Sequence, residues 1–209
     1  VQRLQTLTAD FPQGARWLLF AFDHAHDDAG QVSIGDTTFH VPDAYARQIA
    51  AQTPERFAWV ASIHPYAPDA LLRLELAIAQ GALAVKWLPS AMNIDLCSPR
   101  CKPFYDKLAA ARLPLIVHCG EEKAVPGAGR DELGNPLHVR LPLQAGVRII
   151  MAHCASLGHA ADIDKRSAPS VPAFDLFARL MDEHTHEKLL LGDVSAVFQV
   201  NRSAALHRT

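Results

Sequence analysis

Residues 113–122 read L-P-L-I-V-H-C-G-E-E, and this stretch sets the pattern of the whole chain. Its apolar run predicts a short buried strand that brings His118 to its carboxyl end and then breaks at Gly120. A second apolar run, V-R-I-I-M-A at residues 147–152, ends in the same way in His153 and Cys154. Side chains alternate along a strand. If the two runs pair in parallel, we expect both imidazoles on one face of the sheet and both thiols on the other.

The rest of the chain repeats this alternation of apolar runs with amphipathic segments. Strands are predicted at residues 17–22, 57–63, 82–88, 113–117, 147–152 and 188–192. Helices are predicted at residues 1–11, 42–52, 68–80, 99–111, 135–146 and 173–183. Strands that are apolar throughout are typical of a parallel sheet covered by helices, and this predicts an α/β fold.

Polar residues gather where the predicted strands end. They are His24, His26, His64, Lys86, His118, Glu121, His153 and Asp193. A (β/α)8 TIM barrel builds its active site from the carboxyl ends of many strands. We therefore predict a single TIM-barrel-like domain over residues 1–209, with about six of the usual eight βα units present in this chain.

The composition limits the classes of partner. The chain has 209 residues, is 49% hydrophobic and carries a formal net charge of −2, so neither a nucleic acid nor a membrane is an expected partner. No apolar run reaches the roughly 20 residues of a membrane helix, and no secretory leader is visible. The four cysteines do not suggest a disulfide framework, so a reducing cytoplasm is expected.

Two histidines at the ends of neighbouring apolar strands indicate a divalent metal site, because core packing alone would not favour imidazoles there. His118 and His153 are the predicted ligands, and Zn is the expected ion, with Mn or Fe as alternatives. Lys86 is a candidate catalytic residue because a strand interior disfavours an ammonium group, unless the side chain reaches the solvent at the rim. Glu121 is the predicted catalytic carboxylate, with Glu122 or a merely solvated loop as the alternatives.

The segment C-S-P-R-C, from Cys97 to Cys101, brings two thiols close together in the sequence. A zinc clip at this segment would require two further ligands nearby, and the sequence shows no obvious ones. We therefore do not expect a metal ion there.

Three stretches together resemble a known family. They are G-A-L-A-V-K-W-L-P at residues 81–89, the stretch at 113–122, and R-I-I-M-A-H-C-A-S-L-G at residues 148–158. They resemble strands four, five and six of the amidohydrolase superfamily, in its branch of amidohydrolase-related metal-dependent hydrolases with a TIM-barrel fold. The resemblance implies that His118 and His153 are metal ligands. It implies that Lys86 is either a carboxylated bridging ligand or a cation that faces the substrate.

The resemblance also implies a reaction. We expect hydrolysis of a C–N or C–O bond in a small molecule, such as an amide, a cyclic amide or a lactone, through metal-activated water. The related branch includes non-oxidative decarboxylases, which remain an alternative. The alternative from another class is a degenerate barrel that binds a ligand or a partner without turnover.

The chain departs from the family pattern at both ends. His24 and His26 have the spelling of the family's strand-one H-x-H, but strand counting places them after strand two. The family's own H-x-H is then expected upstream, and a polar loop is the main interpretation for this pair. Asp193 follows the predicted strand seven, so the family's final Asp is expected beyond Thr209. His64 is a lesser candidate for lining the pocket.

Two further expectations concern the surface. The remaining histidines are predicted to be exposed; they are His40, His138, His159, His184, His186 and His207. An open sheet of six strands has two unpaired edges, which predicts association into homo-oligomers.

Overall fold

The computed structural model of the protein describes residues 2–12, 14–123, 125, 130–184, 186–200 and 202. Its strands are β1 (Trp17–Phe20), β2 (Phe57–Val60), β3 (Val85–Trp87), β4 (Leu115–His118), β5 (Ile149–Ala152), β6 (His159–Ala161), β7 (Ser170–Pro172) and β8 (Leu190–Gly192). Its α-helices are α1 (Gln2–Thr8), α2 (Asp43–Ala50), α3 (Ala70–Ala79), α4 (Pro89–Met92), α5 (Lys102–Ala111), α6 (Arg140–Gln144) and α7 (Ala173–Glu183). Of the helices in this described part, none combines the length and apolar character that crossing a membrane requires.

Six strands run parallel in one lateral order. β1 pairs with β2, and β3, β4, β5 and β8 pair in that sequence. A parallel bridge between Ala61 and Val85 joins the two groups at β2 and β3. The predicted α/β class, with six parallel strands and intervening helices, is therefore confirmed.

The two faces of the sheet differ in packing. The outer face belongs to the main core and meets the helices; from β3 to β5 it carries Val85, Trp87, Leu115, Val117, Ile149 and Met151. Burying a side chain of this kind contributes about 1.5–3 kcal/mol, so this layer holds the helices on the sheet. The opposite face, here called the inner face, carries a separate small cluster of Val60, Ala84, Ile116 and Ala152. Because side chains alternate along a strand, Lys86 and His118 also lie on the inner face.

Several local predictions differ from the structure. The strands are shorter than predicted: β1, for example, ends at Phe20 instead of residue 22, and β2 ends at Val60 instead of residue 63. Residues 89–92, for which no helix was predicted, form α4, where Pro occupies the first helical turn. Residues 156–172, for which no strand was predicted, contain the antiparallel pair β6 and β7. Each of these two strands has only three residues, which is too short for a periodic sequence signal.

Candidate metal centre

His118 is the last residue of β4 and is buried on the inner face. Its Nε2 lies 3.3 Å from Oε2 of Glu122 and 3.4 Å from the carbonyl oxygen of Glu121. Burial, together with the positive charge of Lys86, lowers the pKa of His118 from 6.5 to about 4, although Glu122 opposes this change. The imidazole is therefore neutral at pH 7, which is the form that binds a metal ion.

His153 lies close to His118 because of a backbone turn and not because of the pairing of the two strands. In the sheet register His118 pairs with Ala152, so a regular continuation of β5 would turn His153 to the opposite face. Instead, His153, Cys154 and Ala155 form a left-handed turn with φ values of 55°, 53° and 48°. The turn brings the centres of the two imidazole rings to 5.6 Å. The prediction that the imidazoles lie together thus agrees with the structure, but its reason, simple alternation along paired strands, was wrong.

Asp193 and Ser195 hold the other side of His153. Oδ2 of Asp193 lies 3.8 Å from Nδ1 of His153 and accepts a hydrogen bond of 2.5 Å from the Ser195 hydroxyl. Nδ1 of His153 also lies 2.8 Å from the Ser195 carbonyl oxygen. If Nδ1 donates its proton to that carbonyl, Nε2 carries the lone pair that a metal ion needs. Burial alone would raise the pKa of Asp193, but hydrogen bonds from Ser195 and His153 outweigh it and lower that pKa.

Two basic residues, Lys86 and Arg202, also belong to this region of the structure. Lys86 lies on the inner face, and burial lowers its pKa from 10.5 to about 8, although Cys119, Glu122 and Asp193 act in the opposite direction. Arg202 donates a hydrogen bond of 3.2 Å to the Ser156 hydroxyl. Burial lowers the pKa of Arg202, although the charge of Glu122 acts in the opposite direction. The part of the inner face around His118 therefore combines imidazoles, carboxylates and cations.

The carboxylate next to His118 belongs to Glu122 rather than to the predicted Glu121. The Glu121 side chain is 40% exposed and forms an ion pair of 3.3 Å with Lys123. The Glu122 side chain is only 7% exposed. The regular alternation of side chains along β4 ends at Gly120, where a φ of +84° turns the chain before Glu121 and Glu122. Sequence spacing alone therefore could not choose between the two.

The sequence interpretation missed two residues of this centre, Ser195 and Arg202, and gave Glu122 only as an alternative to Glu121. Ser195 could have been found from the D-x-S spelling that follows the last strand, because a hydroxyl two residues after a carboxylate often bonds back to it. Arg202 had no local signal, since it meets Ser156 across 46 residues of sequence.

The lesser candidates form a second polar cluster, which follows β1 and β2. Asp23 is buried and makes an ion pair of 2.9 Å with Arg73, and it accepts a hydrogen bond of 2.8 Å from the backbone N–H of His64. His64 is fully buried, and its Nε2 lies 2.8 Å from the Met92 carbonyl oxygen. Burial lowers the pKa of His64 to about 3, with His26 contributing in the same direction. His64 is therefore a buried residue that contacts the backbone of Met92, and its predicted role in lining the pocket stays a prediction.

His24 and His26 do not converge as a pair. The His24 ring stacks on His40 with 3.8 Å between ring centres, and the His26 ring stacks on His64 at 4.2 Å. Nδ1 of each of the two is buried and has no hydrogen-bond partner among the described residues. Both side chains lie in the segment between β1 and α2, in keeping with the predicted loop. A ligand role for them remains a prediction.

The predicted surface positions of the other histidines are only partly right. His40, His159 and His186 are exposed, and His184 is half-buried. His138 is also half-buried, and its Nδ1 is completely covered. His207 lies outside the described residues.

Comparison with known proteins identifies relatives of this architecture. The family model described as amidohydrolase matches residues 8–200. No curated protein matches the chain. An uncharacterized TIM-barrel protein from Bordetella bronchiseptica superimposes with a TM-score of 0.69 at 14% identity, covering 99% of this chain and 63% of its own length. The chain therefore spans less than two thirds of that protein.

Two further solved structures are similar. A probable 2-pyrone-4,6-dicarboxylic acid hydrolase from Acinetobacter baumannii, with citric acid bound, has a TM-score of 0.59 at 12% identity and covers 94% of this chain and 77% of its own. A protein described as amidohydrolase II has a TM-score of 0.50 at 17% identity, with coverages of 99% and 71%. At these identities the likeness demonstrates the fold alone, and that fold is the predicted TIM-barrel architecture.

Proposed function

Because the chain belongs to the amidohydrolase family, we propose that it carries the chemistry of a metal-dependent hydrolase. The bond attacked is a C–N or C–O bond of a small molecule, such as an amide, a cyclic amide or a lactone. One observation carries this proposal: His118 and His153 lie with ring centres 5.6 Å apart at the ends of two adjacent parallel strands. The carboxylates of Glu122 and Asp193 flank these two imidazoles.

The donor set fits a divalent metal ion of borderline softness. Two imidazoles suit Zn²⁺, which is the ion we propose, with Mn²⁺ or Fe²⁺ as alternatives, and the carboxylates of Glu122 and Asp193 are placed to orient these imidazoles. Each imidazole has one nitrogen engaged by a protein oxygen, so the other nitrogen can serve as a ligand. The four groups form two close pairs, His118 with Glu122 and His153 with Asp193, rather than a closed cage. A catalytic metal site keeps one coordination position open for water or substrate, and two separate pairs are compatible with that requirement.

The residues around the donors supply the remaining functions. A bound metal ion would acidify a water molecule and polarise the substrate carbonyl. Glu122 is the proposed proton carrier, because it is buried next to His118 and can exchange a proton with a reacting group. Lys86 and Arg202 are proposed to bind negatively charged oxygen atoms of the substrate, since Lys86 shares the inner face with His118 and Arg202 bonds to Ser156, three residues after His153.

Non-oxidative decarboxylation is the second candidate reaction. The observation that favours it is the same pair of cations, Lys86 and Arg202, which suits a carboxylated substrate. One of the similar structures is described as a hydrolase of a 2-pyrone dicarboxylic acid, and its name supports hydrolysis as the first choice. A barrel that binds a ligand without turnover is the remaining alternative.

Metal content tests the site. Elemental analysis of protein purified without chelator is expected to show one Zn, Mn or Fe fewer per chain in the His118→Ala, His153→Ala double variant. The matched control is a His159→Ala, His186→Ala double variant, because both of these histidines are exposed. Equal metal content in the wild type and the His118→Ala, His153→Ala variant would overturn the metal site.

Activity assays test the reaction. The wild type is expected to hydrolyse members of a panel of lactones and cyclic amides, followed by proton release for the lactones and by chromatography of the ring-opened product for the cyclic amides. The double variant without His118 and His153 is expected to be inactive. Release of carbon dioxide from carboxylated aromatic compounds would favour decarboxylation. Bound metal with no turnover in either panel would favour the non-catalytic alternative.

The cellular setting follows from the same proposal. A small molecule is the proposed partner, and a homo-oligomer remains a prediction. The four cysteines are free thiols, which supports the proposed location in a reducing cytoplasm.

A further inference from the structure

A second group of metal-ligand side chains lies outside the His118 centre. It consists of Asp95, Cys97 and His138, whose ligand atoms all lie within 4.8 Å of one another. Among the described residues it is the only set of three His, Cys, Asp or Glu side chains that meets so closely. Its mixture of carboxylate, thiol and imidazole donors is typical of ligands for zinc.

The backbone fixes two of these residues before any ion binds. The N–H of Cys97 donates a hydrogen bond of 2.8 Å to Oδ1 of Asp95. The backbone of Asp95 is held on both sides by the Tyr66 hydroxyl, which accepts from its N–H at 3.1 Å and donates to its carbonyl at 3.3 Å. The loop that follows α4 is therefore held in place by a hydrogen bond within the loop and by two hydrogen bonds with Tyr66.

His138 comes from a different part of the chain. It lies in the 3-10 turn Pro136–Val139, which begins with Asn135 accepting a hydrogen bond of 3.0 Å from Leu137 N–H. The Cys97 thiol lies 4.0 Å from the His138 carbonyl oxygen, so the two segments are in contact. A shared ion would tie the loop after α4 to the segment before α6.

His138 gives an independent sign of a missing ligand. Its Nδ1 is buried without a hydrogen-bond partner among the described residues, and leaving such a group unsatisfied costs about 1–3 kcal/mol. Burial lowers the pKa of His138, although Asp95 opposes this, so the imidazole is in the neutral form that binds metals. Burial and the charge of Asp95 raise the pKa of Cys97, and a coordinating ion would displace the thiol proton.

We propose that Asp95, Cys97 and His138 bind one Zn²⁺ ion at a site separate from the His118 centre. A cavity of about 550 Å³ beside Cys97, bounded by α5 and α6, would give the ion access and leave a fourth coordination position for water. Cys101, the second thiol of the C-S-P-R-C segment, is not a ligand. It is buried, and its thiol donates to the Asp95 carbonyl oxygen at 3.4 Å.

Cobalt binding tests the donor set. Co²⁺ titrated into the metal-free full chain is expected to give a thiolate-to-cobalt absorption band, and Zn²⁺ is expected to displace it. The same band should persist in the His118→Ala, His153→Ala variant, so this result is independent of the proposed function. Cys97→Ser should abolish the band, and His138→Gln should weaken Co²⁺ binding by at least the 10–100-fold typical of a lost supporting contact. His159→Gln, at an exposed histidine, is the matched control.

Thiol alkylation gives a second measurement. Cys97 is the exposed cysteine, and Cys101, Cys119 and Cys154 are buried, so an alkylating reagent should modify one site in the folded protein. Zn²⁺ is expected to protect that site in the wild type and not in His138→Gln. Absence of the cobalt band, its persistence in Cys97→Ser, or equal alkylation with and without Zn²⁺ would each overturn the proposal.

Discussion

Replacing Lys86 by methionine should stabilise the fold at neutral pH. The substitution keeps the length of the side chain on β3 and removes the ammonium group from the inner face. Burial lowers the pKa of Lys86 from 10.5 to about 8, a gap of about 2.5 pH units. At about 1.4 kcal/mol per pH unit, holding this charge in the folded state costs up to about 3.5 kcal/mol at pH 7. Lys86→Met should recover most of that free energy of unfolding.

The effect should depend on pH in a defined direction. Below about pH 8 the lysine is protonated in both the folded and the unfolded chain, so the full cost is present. Between about pH 8 and 10.5 the folded chain releases the proton while the unfolded chain keeps it. The unfolded state then binds more protons, so wild-type stability rises with pH by up to about 1.4 kcal/mol per unit. The advantage of Lys86→Met should therefore shrink across this range.

Urea unfolding at pH 7 and at about pH 10, followed by tryptophan fluorescence, measures both effects. Lys102→Met is the matched control, because its side chain is 70% exposed in an ion pair with Asp106 and should change stability little at either pH. A Lys86→Met protein that is less stable than the wild type at pH 7, or whose advantage is the same at both pH values, would refute the reasoning. A native mass that is higher by one carbon dioxide in the wild type, and not in Lys86→Met, would show that Lys86 is carboxylated instead of an ammonium.

Three other predictions concern single positions. Glu122→Gln should weaken metal binding at the His118 centre by about 10–100-fold in a Zn²⁺ titration, whereas Glu121→Gln should leave it unchanged. Gly120→Ala should lower the free energy of unfolding by more than about 1 kcal/mol in urea, because its φ is +84° and its Cβ would lie 2.4 Å from a backbone carbonyl oxygen. Gly35→Ala, with open space around its Cβ, is the control. His64→Phe should reduce the loss of stability between pH 6.5 and 3, because only the unfolded wild type takes up the His64 proton in that range.

Each of these has a result that contradicts it. Equal weakening of Zn²⁺ binding by both glutamine variants would mean that Glu122 is not the carboxylate that acts on His118. An unfolding free energy for Gly120→Ala equal to that of Gly35→Ala would exclude the close approach at this turn. Identical acid dependence of the urea midpoint in the wild type and His64→Phe would show that His64 titrates normally.

The alternation of strands and helices could be predicted from the sequence, because it depends on local patterns of apolar residues. Helix α7 begins and ends at the predicted residues 173 and 183, since its apolar stripe is continuous and its start follows a proline. His118 was predicted at a strand end for the same local reason. The six parallel strands lie side by side in the order in which they occur along the chain. This order is expected, because consecutive strands joined by a crossover connection usually become neighbours in the sheet.

What could not be predicted depends on register and on distant contacts. The pairing of His118 with Ala152 is one residue away from the alignment that the two His-Cys pairs suggest. Ser195 contacts His153 although 42 residues separate them in the sequence, and no local sequence pattern predicts that contact. The same holds for His138, whose partners Asp95 and Cys97 belong to a loop more than 40 residues earlier in the chain.

The left-handed turn at His153 connects these observations. Left-handed backbone costs roughly 1–2 kcal/mol for each non-glycine residue, and His153, Cys154 and Ala155 all adopt it. Without the turn, the one-residue register offset would place the His153 imidazole on the packed outer face, away from His118. Hydrogen bonds from this turn to Asp193 and Ser195 offset part of the strain. The strained turn therefore places the imidazoles of His118 and His153 on one face of the sheet. Packing of the core does not require this placement, and strained backbone of this kind is typical of functional sites.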